Sequence, residues 1–243
     1  TELTTISSSE LLCPCVSKDI RVNYVKPIKS KNIMKKIDKR RVYYCVIDTE
    51  TCQIEPSPKV DAHNMLVYDI GYRIIDKKGN CYLEKSFVVD EIFHGEYKRM
   101  RNSYYADKLP QYYKEIGENK RIVKGIQNIR DEFQNDLKMF NCTIVSAHNA
   151  YFDYTALRTT MKWLNCKYPY FYRYEYTLWD TMKMARDTIC KAKSYPFYNG
   201  RGQKSASAEN LYRYITGNYE FTESHTGLED TRIESAILVK CLS

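Results

Sequence analysis

Val42-Tyr43-Tyr44-Cys45-Val46-Ile47-Asp48 is apolar on both faces until its last residue. That pattern predicts a buried central strand, since half-exposed strands alternate apolar with polar residues. Met65 to Ile75 and Asn80 to Val89 are β-rich runs on either side of Asp76-Lys77-Lys78-Gly79, which predicts a hairpin. Ile122, Ile126, Ile129, Phe133, Leu137 and Phe140 recur at helical spacing. Thr143 to Ala147 reads as a short strand, and about Tyr151 to Leu164 as a helix. A strand near Tyr174 to Trp179 follows, then a helix from Asp180 or Thr181. Further helices are expected from about Ser207 to Thr216, stopped by Gly217, and from about Leu228 onward. Three strands followed by alternating helix and strand indicate one mixed α/β domain, and 243 residues suit a single large domain.

Charge divides the chain in two. Lys18 to Arg41 carries ten Lys/Arg against two Asp, a surplus equal to the net charge of +8, so the remainder is neutral. The expected organisation is a basic arm over residues 1–41 and a folded domain over 42–243. Such an arm suits a polyanion such as nucleic acid, or is simply a solvated terminus. With 43% hydrophobic and 28% charged residues the body is not of a disordered class. No apolar run is long enough to span a bilayer, and the first residues do not resemble a secretory signal, so no membrane role is expected. Nine scattered cysteines form no disulfide framework and point to reduced thiols in the cytoplasm. Cys13-Pro14-Cys15 lacks the second pair that a zinc site needs.

Several carboxylates occupy positions whose pattern demands burial. Asp48 and Glu50 lie two apart at the end of the central strand, on the face of Tyr44 and Val46. Asp153 shares a helix stripe with Leu157, Met161 and Leu164, and Asp230 shares one with Ile233, Ile237 and Cys241. Taken singly, Asp153 and Asp230 read as helix-capping or first-turn residues. Converging in one site, four carboxylates would repel one another unless divalent cations held them, and oxygen-only ligands suit Mg²⁺ or Mn²⁺.

Val46-Ile47-Asp48-Thr49-Glu50-Thr51, Ala147-His148-Asn149-Ala150-Tyr151-Phe152-Asp153 and His225-Thr226-Gly227-Leu228-Glu229-Asp230-Thr231 resemble, in order and spacing, the three motifs of the DnaQ-like DEDD exonuclease family. His225, five residues before the last acid, resembles the histidine (DEDDh) subgroup, and Asp180-Thr181 at a strand end also fits. Gly227 departs from the alanine usual at its position, a loosening expected to be tolerable before a helix. Residues 91–120 and the arm match no part of the family pattern.

The resemblance implies an RNase H-like fold and 3′-to-5′ hydrolysis of nucleic acid, single-stranded DNA first, releasing nucleoside 5′-monophosphates. It implies two Mg²⁺ or Mn²⁺ ions, with Asp48 bridging both, Glu50 and Asp230 completing the first and Asp153 supporting the second. Thr49 and Asn149 become substrate contacts near a single-stranded 3′ end. Two such ions about 3.5–4 Å apart suit an in-line phosphoryl displacement. Five helical residues turn about 500°, so His225 reaches the site only from the loop before the last helix, where it would be the general base. An RNA-directed exoribonuclease, a related endonuclease and a catalytically weak nucleic-acid-binding or proofreading-type module remain alternatives.

Two further signals have bland readings. Gly200-Arg201-Gly202-Gln203-Lys204-Ser205 lacks the glycine spacing of a phosphate loop, leaving a basic loop that is solvated or touches substrate phosphates. Lys167 to Tyr174 interleaves aromatic and basic residues; base stacking is possible there, but strand and core packing is the expected role.

Overall fold

A computed structural model describes residues 37–38, 40–103, 105–173 and 175–243. The greater part of the basic arm, with Cys13 and Cys15, lies outside the described residues. Its last arginine is tied to the domain, because Arg41 Nη1 donates to Asp76 Oδ2 at 2.8 Å.

Six strands form one mixed sheet in the order β4-β3-β2-β1-β5-β6. The first, β1 (Tyr43–Gln53), runs antiparallel to β2 (Met65–Asp76), which is antiparallel to β3 (Cys81–Val89). β5 (Ile144–Ala147) and β6 (Thr177–Asp180) extend the sheet parallel to β1. The hairpin closes as expected, with Gly79 at φ +82° and its N–H donated to Asp76 O. That is left-handed backbone, which glycine adopts without strain.

Helices cover both faces. One layer holds α4 (Ile126–Met139) and α5 (Ala150–Trp163), with Phe133 of α4 packed edge-on to Tyr72 of β2. On the other face lies α8 (Gly227–Cys241), whose Leu238 joins Tyr44, Val46 and Ile75 in a buried cluster. Behind it are α6 (Thr181–Asp187) and α7 (Ala208–Thr216), the latter ended by Gly217 at φ +70°. Tyr44 and Val46 therefore define the α8 face of β1, and Asp48 and Glu50 continue that row.

Two sequence expectations are corrected, and one unassigned stretch is filled in. Ile122 is not the start of a helix: Ile122–Lys124 is β4, parallel to β3, and α4 begins only after Gly125. Helical spacing alone could not see the glycine break or the open edge of β3. Residues 91–120 fold into short helices, α1 (Asp90–Phe93), α2 (Tyr97–Arg101) and α3 (Leu109–Gly117). The stretch 167–173 is irregular, and β6 starts only at Thr177. There Phe171 and Tyr172 pack on Phe133, whereas Tyr168 and Tyr170 are exposed, with Lys167 and Arg158 over their respective rings.

In the 200–205 loop, Asn199 Oδ1 accepts from the N–H groups of Arg201 and Gln203, and Lys204 Nζ donates to Ala192 O. The seven cysteines among the described residues are free thiols, and no described helix is long and apolar enough to cross a membrane.

Candidate active site

β5 pairs with β1 only along Tyr44 to Val46, while β1 runs on to Gln53. Beyond Ala147 one edge of β1 is therefore uncovered, beside Asp48 and Glu50. The register between β1 and β2 also slips by one residue after Glu50, leaving Tyr68 as the extra residue on β2. Bulges of this kind bend a strand and re-aim its side chains. The uncovered edge begins at the carboxyl end of β5, and open α/β sheets usually bind their ligands beyond the carboxyl ends of parallel strands.

Asp48, Glu50 and Asp230 each present a carboxylate oxygen within 4.8 Å of the others. Asp153, in the first turn of α5, comes from the opposite layer and is fixed by Thr49, whose Oγ1 donates to Asp153 Oδ1 at 2.7 Å. Thr49 is buried and committed to that bond. Asn149 precedes α5 in left-handed backbone, φ +69°.

Burial, with repulsion from nearby carboxylates, pushes every one of these acids up. Burial acts most on Asp48, followed by the charges of Glu234, Asp153, Glu50 and Asp230. Glu50 is raised by burial and then by Asp230. Asp230 is raised by burial and then by Glu223, and Asp153 by burial although Thr49 pulls it back. No Lys or Arg is ion-paired to any of the four among the described residues, and Asp230 Oδ1 is buried without a hydrogen-bond partner. Close oxygens, no balancing cation and an orphaned acceptor together fit a hard divalent ion.

His225 lies on the loop before α8, at φ +53°, with its ring stacked on Tyr105 at 4.7 Å between centroids. Burial and then Lys108 lower its pKa, favouring neutral imidazole at neutral pH. Tyr105 and Lys108 both come from the segment that matched no motif.

The same segment builds the support under α8. Asp69 of β2 is fully buried, and its Oδ2 accepts from Tyr112 Oη (2.6 Å), Arg121 Nη1 (2.9 Å) and the Gly227 N–H (3.1 Å). Gly227 is no loosening. A Cβ there would stand 2.8 Å from the Gly71 nitrogen, and one on Gly71 would stand 2.2 Å from the Gly227 carbonyl carbon. The two glycines let α8 approach β2 closely enough for Asp230 to reach the strand-end acids.

Motif spacing alone missed Asp69, Tyr112, Arg121, Tyr105 and the buried Glu234. Only Glu234 carried a local signal, standing four residues after Asp230 on the same core-facing row.

No family model and no curated protein matches the chain. Solved structures do. A 3′-exonuclease in specific recognition of the 3′ end of a histone mRNA stem-loop aligns with TM-score 0.58 at 12% identity, over 88% of this chain and 69% of that one. The nuclease domain of 3′hExo, a DEDDh family member bound to rAMP, gives 0.56 at 13%, over 83% and 92%. A zinc-bound E. coli ExoI–ssDNA complex gives 0.53 at 13%, over 82% of this chain and 40% of that one. At such identities the likeness is one of architecture, and the sheet and its two helix layers agree with it. The chain has the RNase H-like α/β fold of the DnaQ-like DEDD exonucleases.

Proposed function

We propose that this protein is a divalent-cation-dependent 3′-to-5′ exonuclease that removes nucleoside 5′-monophosphates from a single-stranded 3′ end, with DNA as the first substrate to test. The observation that carries this is the convergence of Asp48, Glu50 and Asp230 beside Asp153 in that fold, with no balancing cation among the described residues. Asp48, Glu50 and Asp230 would hold one Mg²⁺ or Mn²⁺, and Asp153, oriented by Thr49, would support a second with Asp48. When bound, the ions neutralise the carboxylates and stabilise charge on the scissile phosphate.

His225 supplies the base. Its neutral imidazole accepts the proton of the attacking water, the new bond forms to phosphorus, and the bond to the 3′ oxygen breaks with that oxygen protonated by solvent, to which His225 then returns the proton it took. The Tyr105 stack restricts the ring to one plane and so limits the directions from which it takes the proton. Asn149, just before α5 and four residues from Asp153, is assigned as a substrate contact. Thr49 acts through Asp153, having committed its hydroxyl there.

A 5′-labelled oligonucleotide with millimolar Mg²⁺ tests the proposal. A ladder of shortened products is expected from a linear strand and none from a circle; absence of a ladder with either DNA or RNA rejects it. Matched DNA and RNA strands rank the two substrates. A cut circle would instead indicate an endonuclease. The basic arm is proposed to contact phosphates, so its deletion before Arg41 should flatten the salt dependence of binding by roughly 0.7 per lost contact.

A further inference from the structure

Tyr154, Tyr168, Tyr170, Tyr172, Arg130 and Arg173 line a cavity of about 790 Å³ between α4, α5 and the edge strand β6. That is the size of a small-molecule site. Core packing accounts for part of the lining. Tyr172 is buried, packs edge-on to Phe133 and stacks on Tyr154 with 11° between the rings. Packing does not account for Tyr168 and Tyr170, which are 63% and 49% exposed. Tyr154 follows Asp153 on α5, so one wall of the cavity stands within a helix turn of the proposed ion site.

The charge around these rings is one-sided. Arg130 is paired with Asp131 at 2.8 Å and Arg173 with Glu175 at 3.1 Å, but Arg158 and Lys167 have no ion pair among the described residues. Instead the Arg158 guanidinium carbon stands 5.2 Å from the Tyr170 ring centre, and Lys167 Nζ stands 5.5 Å from that of Tyr168. Two polar atoms here, Arg158 Nε and Tyr172 Oη, are also buried without a hydrogen-bond partner. Exposed aromatic faces beside unpaired cations suit a planar base joined to a phosphate, because the base stacks while the cations meet the anion. An apolar protein segment would cover the rings but leave both cations unanswered. We propose that this cavity is a nucleotide subsite separate from the acid cluster, where a base stacks on Tyr168 or Tyr170 and its phosphate meets Arg158 and Lys167. The nucleotide belongs to the bound strand, 5′ of the end being cut, or is a released monophosphate. For that ligand the proposal rests on the exonuclease reading.

The full chain is held in chelator, so that nothing is hydrolysed, and titrated with two probes. One is a fluorescein-labelled single-stranded oligodeoxynucleotide followed by anisotropy, the other dAMP followed by calorimetry. The double variant Y168A/Y170A should bind at least one probe roughly 5- to 150-fold more weakly. Y168F/Y170F should bind like wild type, because phenylalanine keeps the stacking face. R158M should weaken the same probe, and more at low salt than at high. Weakened dAMP binding identifies the free monophosphate as the occupant; weakened strand binding with no measurable dAMP binding identifies a nucleotide of the strand. The proposal is overturned if neither probe binds wild type, or if Y168A/Y170A or R158M binds both probes as wild type does. It is overturned equally if Y168F/Y170F loses as much affinity as the alanine pair. An inactive wild type that still shows this binding pattern removes only the exonuclease assignment. An active wild type whose Y168A/Y170A variant binds both probes normally removes only the subsite.

Discussion

Two buried acidic regions lie within a few residues of each other in this protein, and they are satisfied in opposite ways. At Asp69 burial raises the pKa while Arg121, the Tyr112 hydroxyl and the Gly227 N–H pull it back, so Oδ2 is answered from within the chain, by a cation among others, although Oδ1 has no partner. At Asp48, Glu50, Asp153 and Asp230 no Lys or Arg among the described residues answers it, Thr49 serves Asp153 alone, and the charges that raise them are other carboxylates. The first region is a strut joining the short helices of residues 90–121 to the start of α8. The second is the cluster we propose to be completed by divalent ions. A buried acid with its own arginine therefore reads as architecture here, and acids with none support the proposed ion site.

Asp48→Asn gives the strongest test of this contrast. Hydrolysis should fall on the order of 10³-fold or more, because several kcal/mol of charge stabilisation at the transition state is lost. The metal-free melting temperature should hold or rise, since a repelling charge is gone. A near-wild-type rate would remove Asp48 from the centre. His225→Ala should slow turnover roughly 10²- to 10⁴-fold while calorimetric Mn²⁺ binding persists. Loss of Mn²⁺ binding along with the rate would make the histidine structural.

At the strut the main effect should instead be lost stability. Arg121→Met strands Asp69 as an unpaired buried charge and should cost about 3–5 kcal/mol in denaturant unfolding. An unchanged midpoint would mean that Asp69 is neutral without its partner. Gly227→Ala should cost about 1–3 kcal/mol as α8 shifts away from Gly71, and its rate should fall too because Asp230 moves with the helix.

A further effect is expected in pH. The unfolded chain releases carboxyl protons near pH 4, whereas the metal-free fold keeps them on Asp153 to about 7, Asp230 to about 8 and Glu50 to about 9. These raised values give stability that is fully present below about pH 4 and lost as pH rises through 7 to 9. Melting temperature without metal should therefore fall by several degrees between pH 5 and 9, and millimolar Mg²⁺ should flatten the slope. A flat metal-free profile would contradict the unanswered charge.

The sequence by itself determined the central strand, the β2–β3 hairpin and the alternation of helix and strand after it. The burial pattern of each depends on neighbours two to four residues away. It also marked Asp48, Glu50, Asp153 and Asp230 as acids on core-facing rows, and required His225 to precede the last helix. The tertiary structure alone decided that Ile122 pairs with β3, that Tyr112 and Arg121 meet Asp69, and that Gly227 presses on Gly71. Periodicity reports that a side chain is buried but not what it is buried against. Partners 52 and 158 residues apart, as in Arg121–Asp69 and Gly227–Asp69, are chosen by sheet order and helix approach, which no local spacing encodes.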